Sequence, residues 1–358
     1  MKLVEFSYDD GNWKLENLRL KDVNLLVGRN AVGKSRTLTM INQFYKFIAG
    51  KRNIDTGNSW HAKFINNQGQ IIDFEFKTDD EFEVISYELI TIDSEVVLSR
   101  NFNKKEEISI AQVKSEVTGK LEEIYPPNDK LTLHARRDVR AYPYFEELIE
   151  WAEQSNGFDF GHFNVLELTK NGSASLTTSE GAPTIFERLN ESDRAKVLSE
   201  INQLDFNFSK IFSKEEPIPM FYLIEKGVNS ELSYAELSQG LIRSFAILIY
   251  FHVLISERKP ATIIIDNLCE GLDYERAIKL GKLIFEKCKE NDIQLIATTN
   301  DNFIMDVVDI EHWNVLTREG STVTAMNYDT HRELFDDFRL TGLSNFDFFS
   351  SDYLQQKV

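Results

Sequence analysis

Gly28, Gly33, Lys34 and Ser35 stand in the spacing G-x-x-x-x-G-K-S within VNLLVGRNAVGKSRTLTMI, and each residue type suits work on phosphate. Glycines let backbone N–H groups turn inward around a β-phosphate, and the Lys34 ammonium reaches the β- and γ-phosphates. The Ser35 hydroxyl suits Mg²⁺, while the helix that follows points its positive end at the same anion. The whole loop is therefore assigned to a nucleotide, with Arg29, Asn30, Ala31, Val32 and Arg36 beside those four. A chance glycine turn is the ordinary alternative. It is disfavoured by the apolar strand before the loop and the helical spacing after it.

A second stretch, IIIDNLCEGLD (263–273), ends an apolar β-run in Asp266, a carboxylate placed to share a metal with Ser35. The next residue, Asn267, is an amide, which can orient water but cannot take its proton near neutral pH. Asp273 opens a helix, where its ordinary role is an N-cap. Between loop and acid lies YAELSQGLIRSFAILIYF, which sets Ser238 and Gly240 at the start of a strongly apolar helix. Taken alone, that segment is explained by capping from Ser238, with an earlier capping box at Ser233 and Glu236. Three readings stay open on these residues: a site that binds without cutting, one that cuts slowly, or no such site.

Taken in order, GRNAVGKS, LSQG, IIID, GLD and LIATTND resemble the heads of ABC-type ATPases. That superfamily includes SMC proteins, RecF-like repair ATPases and the OLD-like, AAA-family ATPases of bacterial anti-phage defence. The likeness covers about residues 1–100 and 217–310 and says little of the middle. It implies a head that binds ATP and Mg²⁺ and dimerises around them. Ser238 and Gly240 would then face the γ-phosphate held by the other subunit, with Asp273 as the acid at the seam. Four departures stand out: Ala31 replaces a usual glycine, tolerable if its backbone angle is unstrained, and LSQG lacks a second glycine. Asn267 replaces the usual catalytic glutamate, and Asn300 the usual switch histidine. Catalysis would rest on Lys34, Asn267 and Asn300, with Glu270 or Asp301 as substitute carboxylates. Phosphoryl transfer depends mostly on positioning and electrostatics, so slow hydrolysis is the expectation.

The elements that must hold these residues follow from periodicity. KLVEFSY, WKLENLRL and VNLLVG alternate as strands, and Leu38, Ile41, Phe44, Tyr45 and Ile48 then fall on one helical face. Two more stretches, 61–77 and 81–100, read as antiparallel strands with turns at Asn67–Gly69 and Asp93–Ser94. Residues 103–124 are charged and read as helical. After Pro217 strands and helices alternate (MFYLIEK, 240–256, TIIID, 274–290, IQLIATT, 302–309), which predicts parallel strands with crossover helices. A hairpin, WNVLTREGSTVTAMN, and an aromatic tail complete the chain. The fold class is α/β, a P-loop NTPase with an N-terminal antiparallel β-subdomain and an inserted, mainly helical lobe. The expected divisions are 1–100, 101–216, 217–330 and a tail, 331–358.

Composition narrows the partners. The 358 residues carry 58 acids against 40 bases, a net charge of −18, which does not point to a nucleic-acid-coating surface. Arg136, Arg137 and Arg140 cluster, but Asp138, Glu146 and Glu147 nearby make a salt-bridged surface the plainer account. Gln68 and Gln70 are candidates for the Q-loop glutamine that the resemblance implies. Cys269 and Cys288 alone give no disulfide framework, and no targeting or membrane segment is read, so the cytosol is expected. The absence of sustained heptads argues for a compact head without a long coiled coil. Its partners would be a second copy in an ATP-dependent, even-numbered assembly and a separate effector, such as a nuclease or toxin. A RecF-like DNA clamp, a transporter subunit and an assembly factor without turnover are the rivals.

Overall fold

The computed structural model describes residues 1–53, 55–158, 182–214, 219–257 and 261–350. Parts of the expected helical lobe (159–181 and 215–218) and the end of the expected tail (351–358) lie outside the described residues. The chain forms two compact units, Met1–Ser155 with His312–Arg332, and Asn156–Glu311 with Glu333–Val358. These are not the divisions expected from sequence. The C-terminal hairpin returns to pair with N-terminal strands, and the first sheet runs on past residue 100.

In the first unit the opening segments form Lys2–Asp9, Lys14–Arg19 and Val23–Val27. Every residue of Val23–Val27 is buried, as a strand covered on both faces requires. It pairs in parallel with Trp313–Glu319, whose hairpin partner Thr322–Asn327 pairs in parallel with Lys14–Arg19. Beyond Lys14–Arg19 the order is antiparallel throughout: Lys2–Asp9, Ser59–Ile65, Ile71–Asp79, Val84–Ile92, Glu95–Asn103, Ile108–Lys114 and Leu121–Ile124. Helix Lys34–Ile48 buries the predicted face, Leu38, Ile41, Phe44, Tyr45 and Ile48. Phe44 stacks 6.0 Å from both Trp60 and Phe76 and meets Phe6 edge-on at 5.5 Å. Such aromatic pairs add about 0.5–1.5 kcal/mol each beyond the area they bury, and here they fix the helix that leaves the glycine loop.

Residues 103–124 are not helical. They supply the end of Glu95–Asn103 and the strands Ile108–Lys114 and Leu121–Ile124. The inward positions of Ile108–Lys114 are Ser109, Ala111 and Val113, so the period of two is carried by small residues while the charges face water. Ser109 points inward because Arg100 is wholly buried there and donates to its hydroxyl at 2.8 Å. Arg100 also bonds Glu88 at 2.7 Å, and Glu88 accepts from the Thr132 hydroxyl and N–H. Neither buried charge is left alone.

The second unit holds three parallel strands in the order Asn156–Phe158, Thr262–Ile265 and Gln294–Thr298. Helices Gln239–Glu257, Tyr274–Glu290 and Asn302–Val307 alternate with the last two of these, as predicted. The MFYLIEK strand does not join them. Phe221–Glu225 lies between Phe208–Ser213 and Glu231–Ser233 in a separate antiparallel sheet. Its alternating burial, against the unbroken burial of Thr262–Ile265, is the mark of a sheet with one wet face. Among the described residues, Gln239–Glu257 alone is long and apolar enough to cross a membrane, yet most of its apolar length is buried in protein.

Candidate functional site

In the first unit, the buried strand Val23–Val27 runs into Gly28, where a Cβ would come 2.9 Å from the Leu316 carbonyl oxygen and from Val32. Only glycine fits. Gly33 has φ 119 and lies against the Trp13 ring and Val323, so it too is fixed by both angle and space. Ala31 has φ 65, a left-handed angle that costs a side-chain-bearing residue roughly 1–2 kcal/mol, so the condition set for this substitution is not met. Lys34 is buried, and its ammonium donates to the Gly28 carbonyl at 2.6 Å and the Arg29 carbonyl at 3.3 Å.

Among the described residues, helix Lys34–Ile48 starts with no side-chain cap and no acid in its first turn, so its positive end has no side chain of its own offsetting it. Arg29, Asn30, Ala31, Ser35 and Arg36 are exposed there, while Val32 is buried. Among the described residues the Ser35 hydroxyl has no protein partner. Arg36 lies 4.6 Å over the Trp13 ring and bonds Asp10 at 2.7 Å. Burial pushes the Asp10 carboxyl up, but N–H donors from Asn12 and Trp13 and the Arg36 charge outweigh it and hold it below its ordinary range. Gln70 bonds Asn66 in the turn between Ser59–Ile65 and Ile71–Asp79, and Gln68 lies exposed in the same turn. Arg137 is paired bidentately with Glu146, as the plainer reading of that cluster held.

In the second unit, Asp266 follows the buried strand Thr262–Ile265. Its Oδ1 accepts from the Thr298 hydroxyl at 2.5 Å, and that same hydroxyl accepts from the Asn267 N–H at 2.8 Å. The other Asp266 oxygen has no protein donor among the described residues. Asn267 (φ 53), Cys269 (φ 68) and Gly271 (φ 86) all turn left-handed, which coils the segment tightly. Asparagine adopts that angle more readily than most residues, so Asn267 suits the backbone as well as the chemistry. Its side-chain carbonyl accepts from Asn300 at 3.3 Å, so the two amides meet each other.

Asn267, Glu270, Thr299, Asn300 and Asp301 line a cavity of about 330 Å³. Asp301 caps helix Asn302–Val307 through the Phe303 N–H, and Glu270 is paired with Arg243. Gly240 packs on the same coil, where a Cβ would fall 2.3 Å from the Gly271 carbonyl oxygen. Ser238 is exposed and its carbonyl takes the Ile242 N–H, while its hydroxyl has no protein partner among the described residues. The Ser233–Glu236 capping box is present, and Asp273 caps Tyr274–Glu290 while pairing with Arg276.

A family model described as "AAA domain, putative AbiEii toxin, Type IV TA system" matches residues 23–306, most of the chain. The chain belongs to this AAA-domain family. No curated protein sequence matches it. Among solved structures, this AAA-domain chain is similar to an SMC head bound to the C-winged helix domain of ScpA. The two share 13% identity and a TM-score of 0.53, over 91% of this chain and 97% of that one. An SMC head domain from Thermotoga maritima aligns at 14% identity and TM-score 0.44, over 91% of this chain and 99% of that one. A bacterial ABC transporter cassette, solved as a dimer, aligns at 14% and 0.38, over 90% and 95%. The AAA domain thus has the fold of an SMC head.

Sequence reasoning missed Trp13, Thr298 and Arg243. Arg243 carried a usable signal, a lone guanidinium in the apolar LIRSFAILIYF.

Proposed function

We propose that this protein binds MgATP, dimerises on it, hydrolyses it slowly and so acts as a switch for a separate effector. The observation that carries the reading is the glycine loop, with Lys34 folded inside it and an uncapped helix start beside it. In this proposal Gly28 through Arg36 hold the triphosphate, and the Lys34 ammonium exchanges loop carbonyls for phosphate oxygens. Ser35 and Asp266 are each proposed as a ligand to Mg²⁺, a hard cation that takes oxygen donors, since among the described residues each keeps an oxygen that no protein group uses. The metal would neutralise charge on the phosphates.

Asn267 and Asn300, bonded to each other, are suited to orient water but not to take its proton, which supports slow turnover. Ser238, Gly240 and Asp273 are proposed to meet the nucleotide of a second copy. The Ser238 hydroxyl, without a protein partner among the described residues, supports this for Ser238. The family description, a toxin of a toxin–antitoxin system, is in keeping with a partner-controlled role in bacterial defence, carried out in the cytosol. The test is single-turnover ATP hydrolysis with native-mass sizing, on wild type and Lys34→Ala. ATP-driven dimers with slow, Lys34-dependent turnover are expected. ATP-independent mass, or turnover indifferent to Lys34, would overturn the reading.

A further inference from the structure

The two carboxylates lining the cavity beside Asn267 are both bonded, but not equally firmly. Asp301 caps a helix, so moving it undoes a helix start. Among the described residues Glu270 is held by one ion pair, Arg243 to its Oε2 at 2.7 Å, with a longer 3.4 Å contact from Arg243 to its backbone carbonyl. The pair is lopsided. The Glu270 side chain is 56% exposed, whereas that of Arg243 is 11% exposed and rooted in the apolar helix Gln239–Glu257. A guanidinium at that depth needs a partner, so the helix side is the anchor and Glu270 the group being held. Gly240, three residues before Arg243, and Gly271, next to Glu270, meet backbone to backbone, which ties the coil 267–271 to the helix start that follows Ser238.

We propose that Arg243 is a latch that keeps Glu270 from acting as general base, and that releasing it speeds hydrolysis. This rests on the ATPase reading and deepens it. On release, Glu270 accepts a proton from the attacking water as the water oxygen bonds the γ-phosphorus. The bond from that phosphorus to the bridging oxygen breaks, its electron pair leaves with ADP, and inorganic phosphate is the other product. Because the latch and Ser238 share one helix start, an occupant at Ser238 bears directly on Glu270. Arg243 is a positioning residue in this scheme and touches no substrate.

The experiment compares single-turnover hydrolysis by wild type, Arg243→Gln and Arg243→Gln/Glu270→Gln, with binding of a fluorescent ATP analogue measured in parallel. A positioned general base is worth on the order of 10²–10⁴ in rate, so Arg243→Gln is expected to gain about tenfold or more. The gain should vanish in the double variant, which a merely structural role would not produce. An unchanged or lower rate with analogue binding retained overturns the latch, as does a gain that survives Glu270→Gln. Wild type that fails to bind the analogue overturns the ATPase reading itself, and that outcome shows in binding and not in the rate comparison. If Arg243→Gln melts below the assay temperature, Arg243→Met keeps the packed stem and is read the same way.

Discussion

Thr298 holds Asp266 and Asn267 through one hydroxyl, donating to the carboxylate and accepting from the N–H. Thr298→Val keeps the shape and orphans both half-buried groups, at about 1 kcal/mol, the low end of the range for bonds left unmade. A lower melting temperature and weaker Mg²⁺-dependent binding of an ATP analogue are expected, read by thermal melts and titration. Ala31 makes the opposite case, since its left-handed angle suits glycine. Ala31→Gly is expected to raise stability by about 1 kcal/mol, the strain released less the added freedom of the unfolded chain, as read by urea denaturation. The loop and the acid were legible in sequence because their chemistry demands fixed residue types at fixed local spacing. The partners of Thr298 and Arg243 were not, because each lies about thirty residues away along the chain, a distance that no local pattern spans.

Elements were legible where burial imposes one period. The unbroken apolar runs before Gly28 and Asp266, and the helices at 239–257 and 274–290, appear where the pattern puts them. Residues 103–124 misled because their charge resembles that of a solvated helix, while the inward positions are held by Ser109 and Ala111, which carry little hydrophobic signal. A tie between helices was also invisible. Glu200 of Glu191–Gln203 accepts from His252 of Gln239–Glu257 at 2.9 Å and from Lys287 of Tyr274–Glu290 at 2.6 Å. Burial raises the Glu200 carboxyl, but those two donors outweigh it, and its pKa lies below the ordinary 4.5. A depressed carboxylate contributes stability that is present above its unfolded pKa and is lost as pH falls through the folded value. Urea denaturation from pH 7 down to about pH 3.5 should show this acid limb, and Glu200→Gln should flatten it. At neutral pH the same variant leaves two buried bases without their carboxylate, at a cost of about 3–5 kcal/mol.

For the whole molecule the net charge of −18 decides what the proposed ATP-driven dimer would have to overcome. Two such copies repel at long range, and bound nucleotide adds further negative charge, so apolar and hydrogen-bonded contacts at the seam must supply the attraction. Salt screens repulsion between exposed charges over a Debye length of about 10 Å at 0.1 M. Dimerisation with ATP is therefore expected to tighten as salt rises from about 0.05 to about 0.3 M, a range across which that length shortens. A DNA clamp built on the same head would do the reverse, because each neutralised phosphate releases counterions and binding weakens with salt. Analytical ultracentrifugation with ATP, with and without a short duplex, separates the two. A dimer favoured by salt and indifferent to DNA fits the protein-effector switch. A salt-labile species that forms only with the duplex would move the protein to DNA repair, with Arg136 and Arg140 the first basic side chains to substitute.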